Sequence, residues 1–180
     1  MRIISGKLKG RRFNPPKNLP VRPTTDFAKE GLFNLLGNMI PIEGTNVLDL
    51  CSGTGNISFE FASRDAATIH CIDQSINCVQ YIKKQTAAFQ IDNISVARAN
   101  LFQYIKNTRQ TKLYDIIFVD PPYQLKGIES LPELILAKGI LAEDGLLIIE
   151  HGREINFENE EGFQFSRTYG NVNFTFFKAT

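Results

Sequence analysis

From Asn46 onward the apolar positions of this chain alternate between two patterns. ATIHCID and ISVARA are strand-like runs that mix Ile and Val with polar or small residues, and NVLDL, YDIIFVD and GLLIIEH are short runs dominated by Val, Ile, Leu and Phe. That is the composition of strands covered on both faces. Between them, NISFEFASR, the stretch from about Ser75 to Phe89, and PELILAKG carry apolar residues at helical intervals. Before the first strand, Thr24, Thr25 and Asp26 offer N-cap and first-turn chemistry for a helix reaching Leu36. Ala28, Leu32, Leu35 and Leu36 share one face of it, and Gly37 is placed to end it. The last alternating runs flank Gly170-Asn171 in FQFSRTYGNVNFTFF, a hairpin signal. Strand–helix alternation predicts an α/β fold, a mostly parallel sheet with helices on both faces and an antiparallel C-terminal hairpin.

The N-terminal segment differs in kind. RIIS and KLKGRRF surround Gly6 and predict a small β-hairpin, and the four prolines of NPPKNLPVRP predict an extended linker. Residues 1–25 contain Arg2, Lys7, Lys9, Arg11, Arg12, Lys17 and Arg22 and no acid. Thirteen basic residues remain to face all nineteen acidic ones, so a basic arm precedes a mildly acidic body. We therefore expect a division at 1–23 and 24–180, with Lys7, Lys9, Arg11, Arg12 and Arg22 contacting nucleic-acid phosphates. No run is long enough for a membrane helix, and Cys51, Cys71 and Cys78 form no CxxC pair. A cytoplasmic protein without a metal or a disulfide framework is expected.

Two stretches carry candidate chemistry. The first strand runs into Asp49-Leu50-Cys51-Ser52-Gly53-Thr54-Gly55, where glycines permit a tight turn and close approach of a ligand. A dinucleotide fingerprint needs a small residue three positions after Gly55. Ser58 stands there, an imperfect fit. Asp73 ends the second strand and suits the hydroxyls of an adenosine ribose. Asp49 beside the turn favours a cationic ligand over a pyrophosphate, hence S-adenosylmethionine over NAD. The second stretch is Asp120-Pro121-Pro122-Tyr123, where prolines end a buried strand. Asp120 and the Pro121 carbonyl form two rigid acceptors for an exocyclic amino group, and Tyr123 offers a face for a splayed-out base, worth ~1–3 kcal/mol. Cys51 has no base partner and reads as a packing residue. His70 reads as a satisfied interior group, His151 as a possible substrate contact, and Glu60 as structural.

The turn and DPPY together resemble class I, Rossmann-like methyltransferases that modify amino groups. With MRIISGKLKGRRF, RPTTDFAKEGLFNLLG, GLLIIEH and RTYGNVNFTFF, the chain resembles the RsmD family over Met1 to Phe177. The resemblance implies a seven-stranded sheet, S-adenosylmethionine as cofactor, and methylation of a guanine N2 amino group in 16S ribosomal RNA, free or in the small ribosomal subunit, by a monomer. It places Asp49, Ser52, Gly53, Thr54 and Gly55 in the cofactor loop, Asp73 and Gln74 at the ribose, and Asn100 and Leu101 at the adenine. It sets Asp120 to Tyr123 at the target amino group, and RPTT (22–25) at the methionine end. Ser58, Asp73 in place of Glu, and Asp65 depart from the family pattern. Rival readings are an amino methyltransferase of adenine or of a protein glutamine, a NAD-dependent dehydrogenase, and a non-catalytic RNA-binding protein.

Overall fold

Period-two alternation sorts each strand's side chains onto the two faces of one sheet. Val47, Ile69, Ile116 and Ile148 lie in one apolar cluster, and their neighbours Leu48, Ile117, Leu147 and Ile149 lie in the other. The computed structural model describes residues 1–16, 19 and 24–179. Arg22 and Lys17, two cations of the expected arm, lie outside the described residues.

The elements run α1 (Asp26–Leu36), β1 (Asn46–Leu50), α2 (Asn56–Ser63), β2 (Thr68–Asp73), α3 (Ile76–Ala88), β3 (Ile94–Arg98) and α4 (Leu101–Asn107). They continue with β4 (Tyr114–Val119), a 3₁₀ turn at Ile128–Ser130, α5 (Leu131–Leu136), β5 (Leu141–His151), β6 (Phe163–Tyr169) and β7 (Val172–Phe177). The seven strands form one sheet in the order β3-β2-β1-β4-β5-β7-β6. The first five are parallel, and β7 pairs antiparallel with both β5 and β6. The expected fold class is thus observed. The order reverses between β1 and β4, the place where open α/β sheets bind ligands.

One face of the sheet carries α1, α2, α3 and the N-terminal arm, whose Ile3, Leu8 and Phe13 join that core. The other carries α4 and α5, through Leu101, Ile105, Leu131 and Ile135. Three details differ from expectation. The N-terminal hairpin is reduced to one antiparallel bridge, Arg2 to Arg12: Ile3 and Arg11, Gly10 and Ile3, and Phe13 and Met1 share backbone bonds across it, while the Ile4, Ser5, Lys7 and Leu8 amides between them turn to α2. The helix expected over PELILAKG ends at Leu136. Helix α4 was not expected: it begins where the Asn100 side chain accepts a hydrogen bond from the Gln103 amide (3.3 Å). A short helix closing on an N-cap carries little periodicity to betray it.

Candidate active site

Strand register builds the site. Leu50 is level with Ile72 on one side and Val119 on the other, and Val119 is level with Ile149. The next row therefore brings Cys51, Asp73, Asp120 and Glu150 side by side at the carboxyl edge of the sheet. Here a cavity of about 350 Å³ opens between the glycine turn and DPPY. Asp49, Ser52, Gly53, Thr54, Asp73, Gln74, Asn100 and Leu101 all line it, as do Asp120, Pro121, Pro122 and Tyr123. Gly55 does not. It caps α2 with φ +75°, and a Cβ there would meet the Phe59 ring at 2.9 Å, so it shapes the turn from behind.

Each acid is held differently. Asp73 accepts the Gly53 amide on one oxygen and the Ser75 amide on the other, both at 2.8 Å. These bonds fix the carboxylate and leave each oxygen a further lone pair. Asp49 is buried beneath α2 and accepts a short hydrogen bond from the Ser58 hydroxyl. Burial pushes its pKa up to about 7, with the charges of Asp73 and Glu150 adding to the effect and the Ser58 bond opposing it. The position where a dinucleotide turn needs a small residue thus holds a hydroxyl bonded to Asp49.

Asp120 accepts no hydrogen bond among the described residues. Desolvation, then Glu150, Asp49 and Asp73, raise its pKa well above the carboxylate range. The Pro121 carbonyl accepts no backbone hydrogen bond among the described residues either. Both acceptors line the cavity, and the Tyr123 ring beside them is exposed. Glu150 completes the row. It is buried, and burial pushes its pKa up to about 7 against the bonds it accepts from Thr24 (2.8 Å) and Tyr123. Sequence reasoning missed Glu150, although the register of IIFVD against LLIIE could have placed it beside Asp120.

Among the described residues, the lining holds four carboxylates and no Lys, Arg or His. Such a wall suits a ligand with positive charge and repels a pyrophosphate. Cys51 sits inside it with φ +64° and a thiol pushed upward by burial and by Asp73, Asp120 and Asp49, which disfavours the thiolate a nucleophile needs.

Outside the cavity, His151 is buried, with its ring nitrogens occupied by the Thr175 hydroxyl (2.7 Å) and the Gly152 carbonyl (2.8 Å). It does not line the cavity, and the Thr175 and Gly152 bonds hold its ring. His70 is half-buried against Ser95. Glu60 anchors the arm. Its two oxygens accept the Ile4 and Ser5 amides at 3.0 Å, and it pairs with Lys29 (3.2 Å) and Arg64 (2.9 Å). Lys29 is fully buried and donates onward to the Arg2 carbonyl (2.7 Å) and Asn56 Oδ1 (2.9 Å). Asn56 in turn donates to the Thr24 carbonyl, so this network joins the arm to the cavity wall. Nothing in the helical pattern of α1 announced an interior lysine.

On the arm, Lys7 pairs with Asp65 (2.9 Å), and Arg11 lies over the Phe89 ring. Lys9 and Arg12 are exposed and form no ion pair among the described residues.

A family model described as "Conserved hypothetical protein 95" matches residues 1–178. The chain is 34% identical over 156 residues to "Ribosomal RNA small subunit methyltransferase D" of Buchnera aphidicola subsp. Baizongia pistaciae, covering 87% of this chain and 78% of the relative. The chain belongs to the RsmD family. The solved structure of yhhF from Escherichia coli superimposes with a TM-score of 0.84 at 28% identity, over 99% of this chain and 97% of that one. More distantly, coclaurine N-methyltransferase bound to N-methylheliamine and SAH superimposes with a TM-score of 0.56 at 25% identity, over 72% of this chain and 36% of that one.

Proposed function

We propose that this protein methylates the N2 amino group of a guanine in 16S ribosomal RNA. At the coarser level it is an S-adenosylmethionine-dependent ribosomal RNA methyltransferase of the RsmD family. The observation that carries the reading is the cavity wall: four carboxylates, no cation among the described residues, and two acceptors, Asp120 and the Pro121 carbonyl, that accept no hydrogen bond among the described residues. S-adenosylmethionine fits this wall, since it bears an ammonium and a sulfonium and no phosphate, and when bound it supplies an electrophilic methyl group. Asp73 and Gln74 would hold its ribose, Asn100 and Leu101 its adenine, and Asp49 with the 52–55 turn its charged end.

The chain's own part in the reaction is positional and electrostatic. Asp120 and the Pro121 carbonyl accept the two N–H bonds of the target amino group and turn its lone pair toward the methyl donor. The prolines hold these acceptors rigid before substrate arrives. Tyr123, its hydroxyl tied to Glu150, presents a fixed face to a base that has left its stack. Burial raises the proton affinity of Asp120, which suits it to take the proton that the methylated nitrogen sheds. A dehydrogenase reading fails on the acid wall, and a purely binding role leaves Asp120 and Glu150 buried without purpose.

The test is direct. Incubation with radiolabelled S-adenosylmethionine and 16S RNA, followed by nucleoside digestion, should yield labelled N2-methylguanosine. Label in adenosine, or in protein glutamine alone, would overturn the guanine assignment.

A further inference from the structure

We propose that a second basic surface, on the face of the sheet opposite the arm, holds the phosphate backbone of the RNA substrate. A groove of about 490 Å³ runs beside α4 and shares Ala99 with the active-site cavity. Arg98, Arg109 and Lys112 line it, and all three are exposed. The stretch from Asn93 to Tyr114 contains these residues and Lys106, and no Asp or Glu. None of the four ion pairs among the described residues involves it. Of the two acids that bracket the stretch, Asp115 is engaged with the Asn46 amide at 2.7 Å, and the exposed Asp92 forms no ion pair among the described residues.

The groove's cations are held in place without being neutralised. Arg98 donates to the Gln74 carbonyl (3.0 Å), and Lys112 donates to the Thr68 hydroxyl (2.7 Å) and lies over the Tyr114 ring. By contrast, two arm cations, Arg2 and Lys7, already face carboxylates. Tyr114 is buried and Tyr104 half-buried, so the groove offers charge and little stacking surface. That chemistry suits phosphodiesters and leaves bases unread. A strand with its target base in the cavity would leave along the groove on one side of the sheet and meet the arm on the other.

This inference rests on RNA being the substrate, and its test separates the two claims. Binding to a single-stranded RNA oligonucleotide is measured across a salt series, without turnover. Arg109→Gln/Lys112→Gln removes two contacts and should reduce the slope of log K against log salt by about 1.5. Affinity at low salt should fall roughly five- to tenfold, and Arg109→Glu/Lys112→Glu should lower it further. Turnover at saturating 16S RNA and S-adenosylmethionine affinity should match wild type. An unchanged slope and affinity in both variants overturns the groove, as does a wild-type protein whose RNA binding ignores salt. Weaker binding of the variants to assembled small subunits with an unaltered RNA slope assigns the groove to a ribosomal protein, and also overturns it. Methyl incorporation into 16S RNA is scored separately. Its absence in wild type refutes the guanine reading and leaves the binding slopes to judge the groove.

Discussion

The cavity and the arm are opposites in charge and in construction. The cavity gathers acids whose positions follow from strand register, with Asp49 and Glu150 buried deeply enough to hold their protons near neutrality. The arm spreads cations over the surface, and what fixes its backbone is a buried ion pair belonging to α1 and α2. One region concentrates charge where water is excluded and its effect is strong. The other leaves charge in water, where single contacts are weak and only their number matters. Chemistry should therefore fail on single substitutions, and RNA affinity only on combined ones.

The largest effect should come from the joint between the two regions. Glu60→Ala would strand Lys29 as an uncompensated interior charge and leave the Ile4 and Ser5 amides without acceptors. A loss of about 3–5 kcal/mol of stability is expected, read by urea denaturation. A change under about 1 kcal/mol would mean the arm is not seated there. Next, Asp120→Ala should lower turnover by about 10²–10³ with cofactor affinity near wild type, and Asp120→Asn should be milder because an amide oxygen still accepts. Steady-state kinetics and calorimetry on the folded variants decide this. Wild-type turnover in Asp120→Ala would remove DPPY from the mechanism.

A subtler effect is pH dependence. Asp49 and Glu150 have folded pKa values near 7, above their ordinary 3.8 and 4.5. Their contribution to stability is complete below about pH 4 and lost as pH rises through 7. The ligand-free melting temperature should fall between about pH 4 and pH 7 and level off above. A cation in the cavity favours the ionised forms, so the shift produced by S-adenosylmethionine should grow over the same interval. S-adenosylhomocysteine, which lacks the sulfonium charge, should gain less. Equal gains for the two ligands would show that the acids do not sense that charge.

The smallest expected effect lies on the arm. Lys9→Gln/Arg12→Gln should flatten the salt slope of RNA binding by about 1.5 and leave cofactor binding intact. An unaltered slope would leave Arg11 and the groove across the sheet as the phosphate contacts.

Much of this was legible in the sequence, for a physical reason. The central strands β1, β4 and the end of β5 are nearly continuous apolar runs, and the glycine turn and DPPY interrupt them with residues whose backbone preferences are strong. Glu150 and Lys29 were not legible. Glu150 looks like the polar end of a strand until the register of β4 against β5 sets it beside Asp120. Lys29 occupies a helical position that reads as solvated until the Arg2 carbonyl, Asn56 and Glu60 surround it. In both cases the partners are distant in sequence, and no local pattern encodes them. Helix α4 escaped because its seven residues make only two turns.

The seat of the arm also dictates an order of events during synthesis. Ile4, Ser5, Lys7 and Leu8 bond through their amides to Glu60 and Ser63 at the end of α2. The arm can thus settle only once the chain has been made as far as Ser63 and α1 has brought Lys29 against Glu60. Until then the arm is a stretch of five basic residues, Arg2, Lys7, Lys9, Arg11 and Arg12, and no acid, without the surface that seats it.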